Sequence, residues 1–522
     1  MKFKEIRKKA NKLLAALFVC FGIVLIILSF FYNSNNEINK VVAAKELNHR
    51  AAYHFTTPDK WKNDPQRPVF FDGEYHYYYL YNKDYPNGNG TEWRHATSED
   101  LVHWKDEGVA IPKYTNKNGD IWSGSVVVDT QNTSGFGKDA IVSIVTQPSE
   151  NSGQQEQFLW YSTDKGRSFK SYSDQPILSN PGTKDFRDPK IIWDSQNNKW
   201  VMILAEGTKI GFYESYNLKS WKYTGAFFTN NIGIVECPDL FIMQSNDGTY
   251  KWVLGVSGNG KSSGKPNTYA YWIGNYNGKE FIADQSEEQW LDYGFDWYAG
   301  VTFESGNSND KLTKRYALAW MNNWDYSNNT PTVQEDFNGM DSIVREIKLK
   351  KQVNNTYSLI SQPVETLDSL ITSTEYLKKM EVSGSKELQV QGEAYQLDAD
   401  ISWIDAKNLG ISLRESDDKK HHVDVGIFTE GQYSYVNRKF TQQPDQSQKY
   451  FENIAPFDTS KKNVHLKILV DKTSIEVFVD DGNITYSNEV FPNSNDKGIE
   501  LFSIGGKAIF QNIVIKHFSA IN

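Results

Sequence analysis

Lys199-Trp-Val-Met-Ile-Leu-Ala205 is the run on which the fold turns. A charged lead followed by an unbroken run of apolar side chains, Trp, Val and Ile among them, is the pattern of a buried strand. Four other runs share an aromatic or charged lead with alternating large apolar residues: His76–Tyr81, Ala140–Thr146, Lys251–Ser257 and Arg315–Met321. In chain order the five starts are 64, 59, 52 and 64 residues apart, room for one four-stranded sheet and its loops per step. Such spacing predicts a five-bladed β-propeller over residues 51–355. A second repeat agrees: Ser98 to Trp104, Ser162 to Phe169 and Ser215 to Trp221 each read as a polar turn that closes on a ring packed between blades. From residue 370 to 522 Gly and Trp thin out and alternating strands dominate. There, Lys467–Val470 pairs with Ile475–Val479 beside the turn Asp480–Asn483, and Ile499–Phe502 with Ala508–Ile515 reads as another pair. These predict a C-terminal β-sandwich, joined through Glu365–Glu375 with a short helical turn. The fold class is all-β.

The 522 residues include 15 Trp, 29 Tyr and 29 Phe but only two Cys. So many rings suit a turn-rich β protein with stacking surfaces, while two cysteines exclude a disulfide framework or a thiolate metal cluster. A net charge of −9 removes the electrostatic footprint of a nucleic-acid partner. Residues 1–12 carry six basic side chains against Glu5, and residues 13–32 are apolar and uncharged. As a helix that stretch rises about 30 Å, which predicts a membrane-spanning signal anchor with its basic flank cytoplasmic. Residues 33–50 are a polar linker, and the body then lies outside the cell. A cleavable secretory signal is the competing reading, but Phe30-Phe-Tyr-Asn33 lacks the small residues that cleavage needs, and Val42-Ala-Ala44 lies some ten residues further on. Either route exports the body.

Three acids stand out by their surroundings. Asp64 lies in Trp61-Lys-Asn63-Asp-Pro65, where the proline holds the acid extended; indole and amide are also residue types that bind a sugar. Asp188 lies in Phe186-Arg-Asp-Pro189, with Arg187 expected to keep it ionised. Glu236 lies in Val235-Glu-Cys-Pro-Asp239, apolar company expected to raise its pKa. Each falls near the start of a different blade, and inner strands converge at one end of a propeller channel. One ionised and one protonated carboxyl group are what glycosidic cleavage requires. Asp64 is then the nucleophile, Glu236 the general acid and base, and Asp188 the group that holds sugar hydroxyls in the transition state. The acidic pairs Asp417-Asp418 and Asp480-Asp481 read as solvated turns without EF-hand spacing.

With Trp61-Lys-Asn-Asp-Pro-Gln-Arg67, Arg187-Asp-Pro189 and Glu236-Cys237, the chain resembles glycoside hydrolase family 32, the invertases, inulinases and levanases. Further matches are Trp93-Arg-His-Ala96, Trp122-Ser-Gly-Ser125, Phe295-Asp-Trp-Tyr-Ala299, Trp320-Met-Asn-Asn-Trp324 and Val344-Arg-Glu346, in order over residues 51–350, with Ile475–Asp480 resembling the family's sandwich. The resemblance implies a propeller plus sandwich, a retaining double displacement and no cofactor. It places the three roles on Asp64, Asp188 and Glu236, and substrate contacts on Trp61, Asn63, Trp93, Trp122, Ser123, Arg187, Asp296 and Trp324. The departures bear on substrate. Many members read Met-Asn-Asp-Pro-Asn-Gly where this chain has Lys62, Gln66 and Arg67, and Leu80 stands where a glutamine usually contacts a terminal fructose. Trp-Lys-Asn-Asp-Pro, Leu80 and Gly88–His95 most closely resemble the endo-levanases of bacilli. The expectation is an extracellular endo-acting β-2,6-fructan hydrolase on levan. An exo-fructosidase acting on levan, inulin or sucrose, and a non-catalytic carbohydrate-binding propeller, are the alternatives.

Overall fold

The computed structural model describes residues 49–441 and 449–521. The expected anchor at 13–32, its basic flank and nearly all of the linker lie outside the described residues. Among the described residues, no helix is long and apolar enough to cross a membrane.

Five antiparallel sheets begin with the inner strands β1 (Lys60–Phe71), β2 (Gly124–Asp129), β3 (Arg187–Asp194), β4 (Glu236–Gln244) and β5 (Tyr298–Glu304). The five runs recognised in the sequence are the second strands of these blades: Glu74–Asn82, Ala140–Pro148, Lys199–Glu206, Tyr250–Ser257 and Arg315–Trp320. Phe337–Asn338, from the fifth blade's stretch of chain, pairs parallel with the start of β1 and ties the last blade to the first. Strand alternation sends successive side chains into different inter-blade layers. Tyr78 and Leu80 pack with Trp93, Phe158 and Phe169 towards the second blade, whereas Tyr77, Tyr79 and Tyr81 pack with Phe303 and Leu318 of the fifth. Most of the rings are consumed in this way. In the repeated turns the hydroxyls of Ser98, Ser162 and Ser215 accept backbone N–H groups of Leu101, Gly166 and Asn217. Trp104 and Phe169 then meet Tyr77 and Tyr78 edge-on.

After a 3₁₀ turn at Glu365–Leu370 the chain enters the sandwich-like sheet. The hairpin β6 (Asn463–Asp471) to β7 (Ser474–Val479) forms as expected, and Asp480, Asp481 and Gly482, all at positive φ, turn the chain into β8 (Ile484–Glu489). Ile499–Phe502 and Ala508–Ile515 do not pair with each other. They are two parts of one 21-residue strand, β9 (Gly498–Phe518), which pairs with four others. Gly505 and Gly506 look like a turn signal but serve as a bend, because a Cβ on Gly506 would lie 2.5 Å from the backbone of Asp405 and Ala406.

The sandwich is held to the propeller by buried ions. Arg345 donates to Asp292 at 2.8 Å and also to Glu476 on β7. His54, fully buried, faces Asp471 through Nδ1 at 2.8 Å and Glu476 through Nε2 at 2.9 Å. Both ring nitrogens can serve these two acceptors only in the imidazolium form. Burial alone would lower the pKa of His54, but the hydrogen bonds from the two carboxylates outweigh it and raise it to about 9. A histidine whose folded pKa lies above its unfolded value of 6.5 stabilises fully below that value and loses the contribution as pH rises through about 9. Denaturant titrations at pH 6, 8 and 10 should show the wild type losing on the order of 3 kcal/mol more than His54→Gln over that window. Parallel losses in the two proteins would rule the charged histidine out.

Candidate active site

Four of the five inner strands slip register near their first residues. The shifts fall between Lys62 and Pro65 on β1, opposite Arg187–Lys190 on β3, between Glu236 and Asp239 on β4, and between Tyr298 and Val301 on β5. Such bulges release a residue from the ladder and re-aim its side chain. Asp188 (φ +62°), Cys237 (φ +46°) and Ala299 (φ +52°) adopt the left-handed backbone at these points, a conformation that costs a non-glycine residue about 1–3 kcal/mol. The first residues of the inner strands thereby converge at one end of the channel.

The convergence can be followed bond by bond. Ser123 Oγ donates to Asp64 Oδ2 at 2.6 Å, and Asn63 Nδ2 donates to Asp64 Oδ1 at 3.1 Å. Asn63 is itself held by the Trp61 indole N–H at 2.9 Å. Asp188 Oδ2 accepts the Cys237 backbone N–H at 3.0 Å. The Cys237 thiol lies 3.7 Å from Asp64 Oδ2 and 3.7 Å from Asp188 Oδ2, between the two acids. Its chain neighbour Glu236 accepts Arg187 Nε–H at 3.1 Å on Oε1 and the Tyr298 hydroxyl on Oε2. Glu236 has 28% of its side chain exposed against 4% for Asp188, and Asp64 is likewise partly exposed.

Burial is the largest influence on two of these carboxyl groups. It pushes Asp64 up, against the hydrogen bond from Ser123 and with the charge of Glu236. Asp188 rises to about 7 through burial, with Arg187 opposing and Glu236 and Asp64 adding. The expectation that Arg187 keeps Asp188 ionised is therefore corrected. Its guanidinium lies 2.5 Å from Asp185 and 3.1 Å from Glu236 but 4.0 Å from Asp188, so its charge is divided among three acids. Nor is Glu236 in apolar company, since its immediate partners are a guanidinium and a phenol. Burial also raises the Cys237 thiol well above its usual range, leaving it a neutral donor.

Of the expected binding residues, Trp61, Asn63, Ser123 and Arg187 gather around the three acids. Trp61 stacks in a group with Tyr85, Trp320 and Trp324, at centroid distances of 5.0, 5.8 and 6.1 Å. Trp324 is the outermost of these rings, 48% exposed, and is free to take a sugar face. Trp122 is half-buried, with its indole on Asp120 at 3.1 Å. Trp93 is a correction: it is fully buried in the layer between the first two blades, with its indole on the Trp122 carbonyl, where no sugar reaches. Asp296 is another. It is fully buried, accepts from Arg438 at 2.7 Å, from Tyr326 and from the Glu489 N–H, and so fastens the sandwich. Three residues had no role assigned from sequence: Tyr298, Cys237 and Gln66. Gln66 is fully buried behind Asp64, donating to its carbonyl at 2.9 Å and to Ser123 Oγ at 3.2 Å while accepting the Gly124 N–H at 2.7 Å. Only their adjacency to the acids, or to a quoted motif, pointed towards them.

Three carboxylates from three blades, Asp188 buried and Asp64 and Glu236 partly open, define a glycosidase built on a propeller. The family is settled by comparison. The family model described as "Glycosyl hydrolases family 32 N-terminal domain" matches residues 54–363, and "Glycosyl hydrolases family 32 C terminal" matches 366–517; the chain belongs to glycoside hydrolase family 32. It is 64% identical to a levanbiose-producing levanase of Bacillus subtilis (strain 168) over 98% of this chain and 99% of that one. It is 66% identical to a levanbiose-producing levanase of Geobacillus stearothermophilus over 76% of this chain and all of that one. Among solved structures, an exo-inulinase from Aspergillus awamori superposes with a TM-score of 0.81 at 28% identity, covering 90% of this chain and 98% of that one.

The raised Asp188 has a consequence for stability. The folded chain holds this proton up to about pH 7, whereas an unfolded aspartate releases it near 3.8. Stability from the protonated form is thus present at low pH and lost as pH rises from 3.8 through about 7. Asp188→Asn, neutral at every pH, should melt higher than the wild type at pH 7.5 and equal it at pH 3.5, while losing turnover. Calorimetry at the two pH values checks this, and an equal or lower melting temperature at pH 7.5 would contradict it.

Proposed function

We propose that this chain is an extracellular endo-levanase that cuts internal β-2,6-fructosidic bonds of levan by a retaining double displacement. Asp64 attacks the anomeric carbon of a bound fructosyl unit while Glu236 gives its proton to the departing oxygen. Glu236 then takes a proton from the water that releases the fructosyl group from Asp64. Tyr298 and Arg187, one on each oxygen, hold the Glu236 carboxyl group in a single orientation for both steps. Asp188 receives hydroxyls of the reacting ring; each O–H donated to it favours its ionised form and offsets the burial that holds its proton. Ser123 and Asn63 orient Asp64, and Trp324 offers a face to the neighbouring sugar.

The observation that carries this reading is the Cys237 thiol, in contact with both Asp64 and Asp188 while its chain neighbour is Glu236. That contact supports a common pocket for the three acids. Levan as substrate is supported by the relatives named for it, which share nearly two thirds of the aligned residues. Endo action is supported by Leu80, which is buried among Tyr78, Trp93 and Ile111 and extends no amide towards a chain end. Levan is too large to enter a cell, so the reading includes export, with residues 13–32 as the anchor. Release of single fructose units is the second reading, favoured by the likeness to an exo-inulinase.

Chromatography of early products from levan separates the two. Short oligosaccharides, levanbiose among them, are expected in place of free fructose; fructose as the first product overturns endo action. Glu236→Gln should lower turnover about a hundred- to ten-thousand-fold while levan still binds, and undiminished turnover would remove the acid assignment.

A further inference from the structure

The channel of the propeller has a second opening at the end away from the three acids. It is a cavity of about 800 Å³ lined by later residues of every inner strand, among them Val69, Val126, Ile191, Leu240 and Phe303. That volume is within the range of small-ligand sites. Its walls mix apolar and polar side chains, and buried among them are three cations: Arg67, Lys190 and Arg315, respectively 2%, 6% and 5% exposed. They share one carboxylate, Asp239, which Lys190 meets at 3.1 Å. Asp239 is otherwise occupied, accepting the Thr302 N–H at 2.9 Å and its hydroxyl at 2.6 Å. Arg315 bonds Thr302 Oγ1 at 2.6 Å and lies over the Phe241 ring. Arg67 reaches the carbonyls of Gly124 and Pro238, and its buried Nε–H has no protein acceptor. At the rim Lys311 and Glu304, 3.3 Å apart, cancel each other.

Three buried cations against one carboxylate leave an excess of positive charge shielded from water, which is costly without a counter-ion. The ammonium of Lys190 shows that cost: burial lowers it to about 8, with Asp239 opposing and Arg315 and Arg67 adding. An orphaned guanidinium N–H is likewise rare in a buried position. From the geometry of this cavity we propose that the propeller channel is a binding site for a small oxyanion, held by Arg67, Lys190 and Arg315 and entered from the face opposite the catalytic pocket. A tetrahedral oxyanion supplies acceptors to the free Nε–H of Arg67 and to the ammonium of Lys190, and neutralises the excess charge.

Isothermal titration of the full chain with inorganic phosphate, at constant ionic strength and with chloride as a parallel arm, tests the assignment. One saturable phosphate site per chain is expected, with binding about tenfold weaker in Lys190→Met for the loss of one charge-assisted contact. Because a buried substitution can impair folding, Ser308→Trp at the exposed rim is the second variant, expected to slow or abolish phosphate binding by filling the entrance. Each variant is first shown to melt cooperatively. Absence of saturable phosphate binding to the wild type, saturation by chloride but not by phosphate, or phosphate affinity unchanged in both folded variants would each overturn the proposal.

Discussion

The bulges at the mouth of the propeller are the constraint on which the site depends. Regular pairing of β1, β3, β4 and β5 to their first residues would direct alternate side chains into the inter-blade layers, as it does for Tyr77 and Tyr78 one strand further out. By breaking register at Lys62, Arg187, Glu236 and Tyr298, the chain turns Asp64, Asp188, Glu236 and a phenol towards a common axis. Left-handed backbone at Asp188, Cys237 and Ala299 is the strain that accompanies this. It persists because the rest of each strand is locked. Val201, Ile203, Leu240, Leu254 and Val301 are all essentially inaccessible, and each buried aliphatic side chain of this size contributes about 1.5–3 kcal/mol. The layers between blades therefore offset the distortion at their ends.

How much of this was legible in the sequence depended on the range of the interaction. The second strand of each blade announces itself, because a strand buried on both faces must be apolar along its length and the repeat recurs by geometry. The acids were legible because their prolines and neighbours are local. Asp296 was not: its partner Arg438 lies 142 residues away, and nothing near Phe295 distinguishes an acid facing sugar from one facing a guanidinium of the sandwich. Trp93 fails for a related reason. An indole has the same residue type in a core as on a sugar platform, and only the pairing of Trp93 with Leu80 decides that it points between blades. The misread pair Ile499–Phe502 and Ala508–Ile515 adds a third reason: the Gly505-Gly506 between them marks close backbone approach, here to Asp405, and not a turn.

Arg67 joins the two ends of the channel. Its guanidinium accepts no role at the mouth, yet it binds the carbonyl of Gly124, next to the serine that orients Asp64, and that of Pro238, next to Cys237. With Gln66 on the Gly124 N–H, two consecutive side chains of β1 grip the first residue of β2 from both sides of its peptide groups. The Gln66-Arg67 pair, read from sequence as a departure bearing on substrate, also braces the floor of the site from behind. A change of partners at Arg67 would be felt first in the spacing of β1, β2 and β4.

The same burial that positions the acids makes them poor at being charged. Burial raises both Asp64 and Asp188, so ionising them works against folding, and the protein holds part of its chemistry in a destabilised form. In the proposed mechanism a sugar ring reverses this, because its hydroxyls bring hydrogen bonds to the carboxylates and its bulk excludes the water that would otherwise screen them. On that proposal, stabilisation of the charged acids becomes available when substrate is in place and grows as positive charge develops at the anomeric carbon. The neutral thiol of Cys237 fits this arrangement better than a hydroxyl or a cation would. As a weak donor 3.7 Å from both Asp64 and Asp188 it fills the space between them without committing either acid, which in the proposed mechanism leaves both available to the substrate.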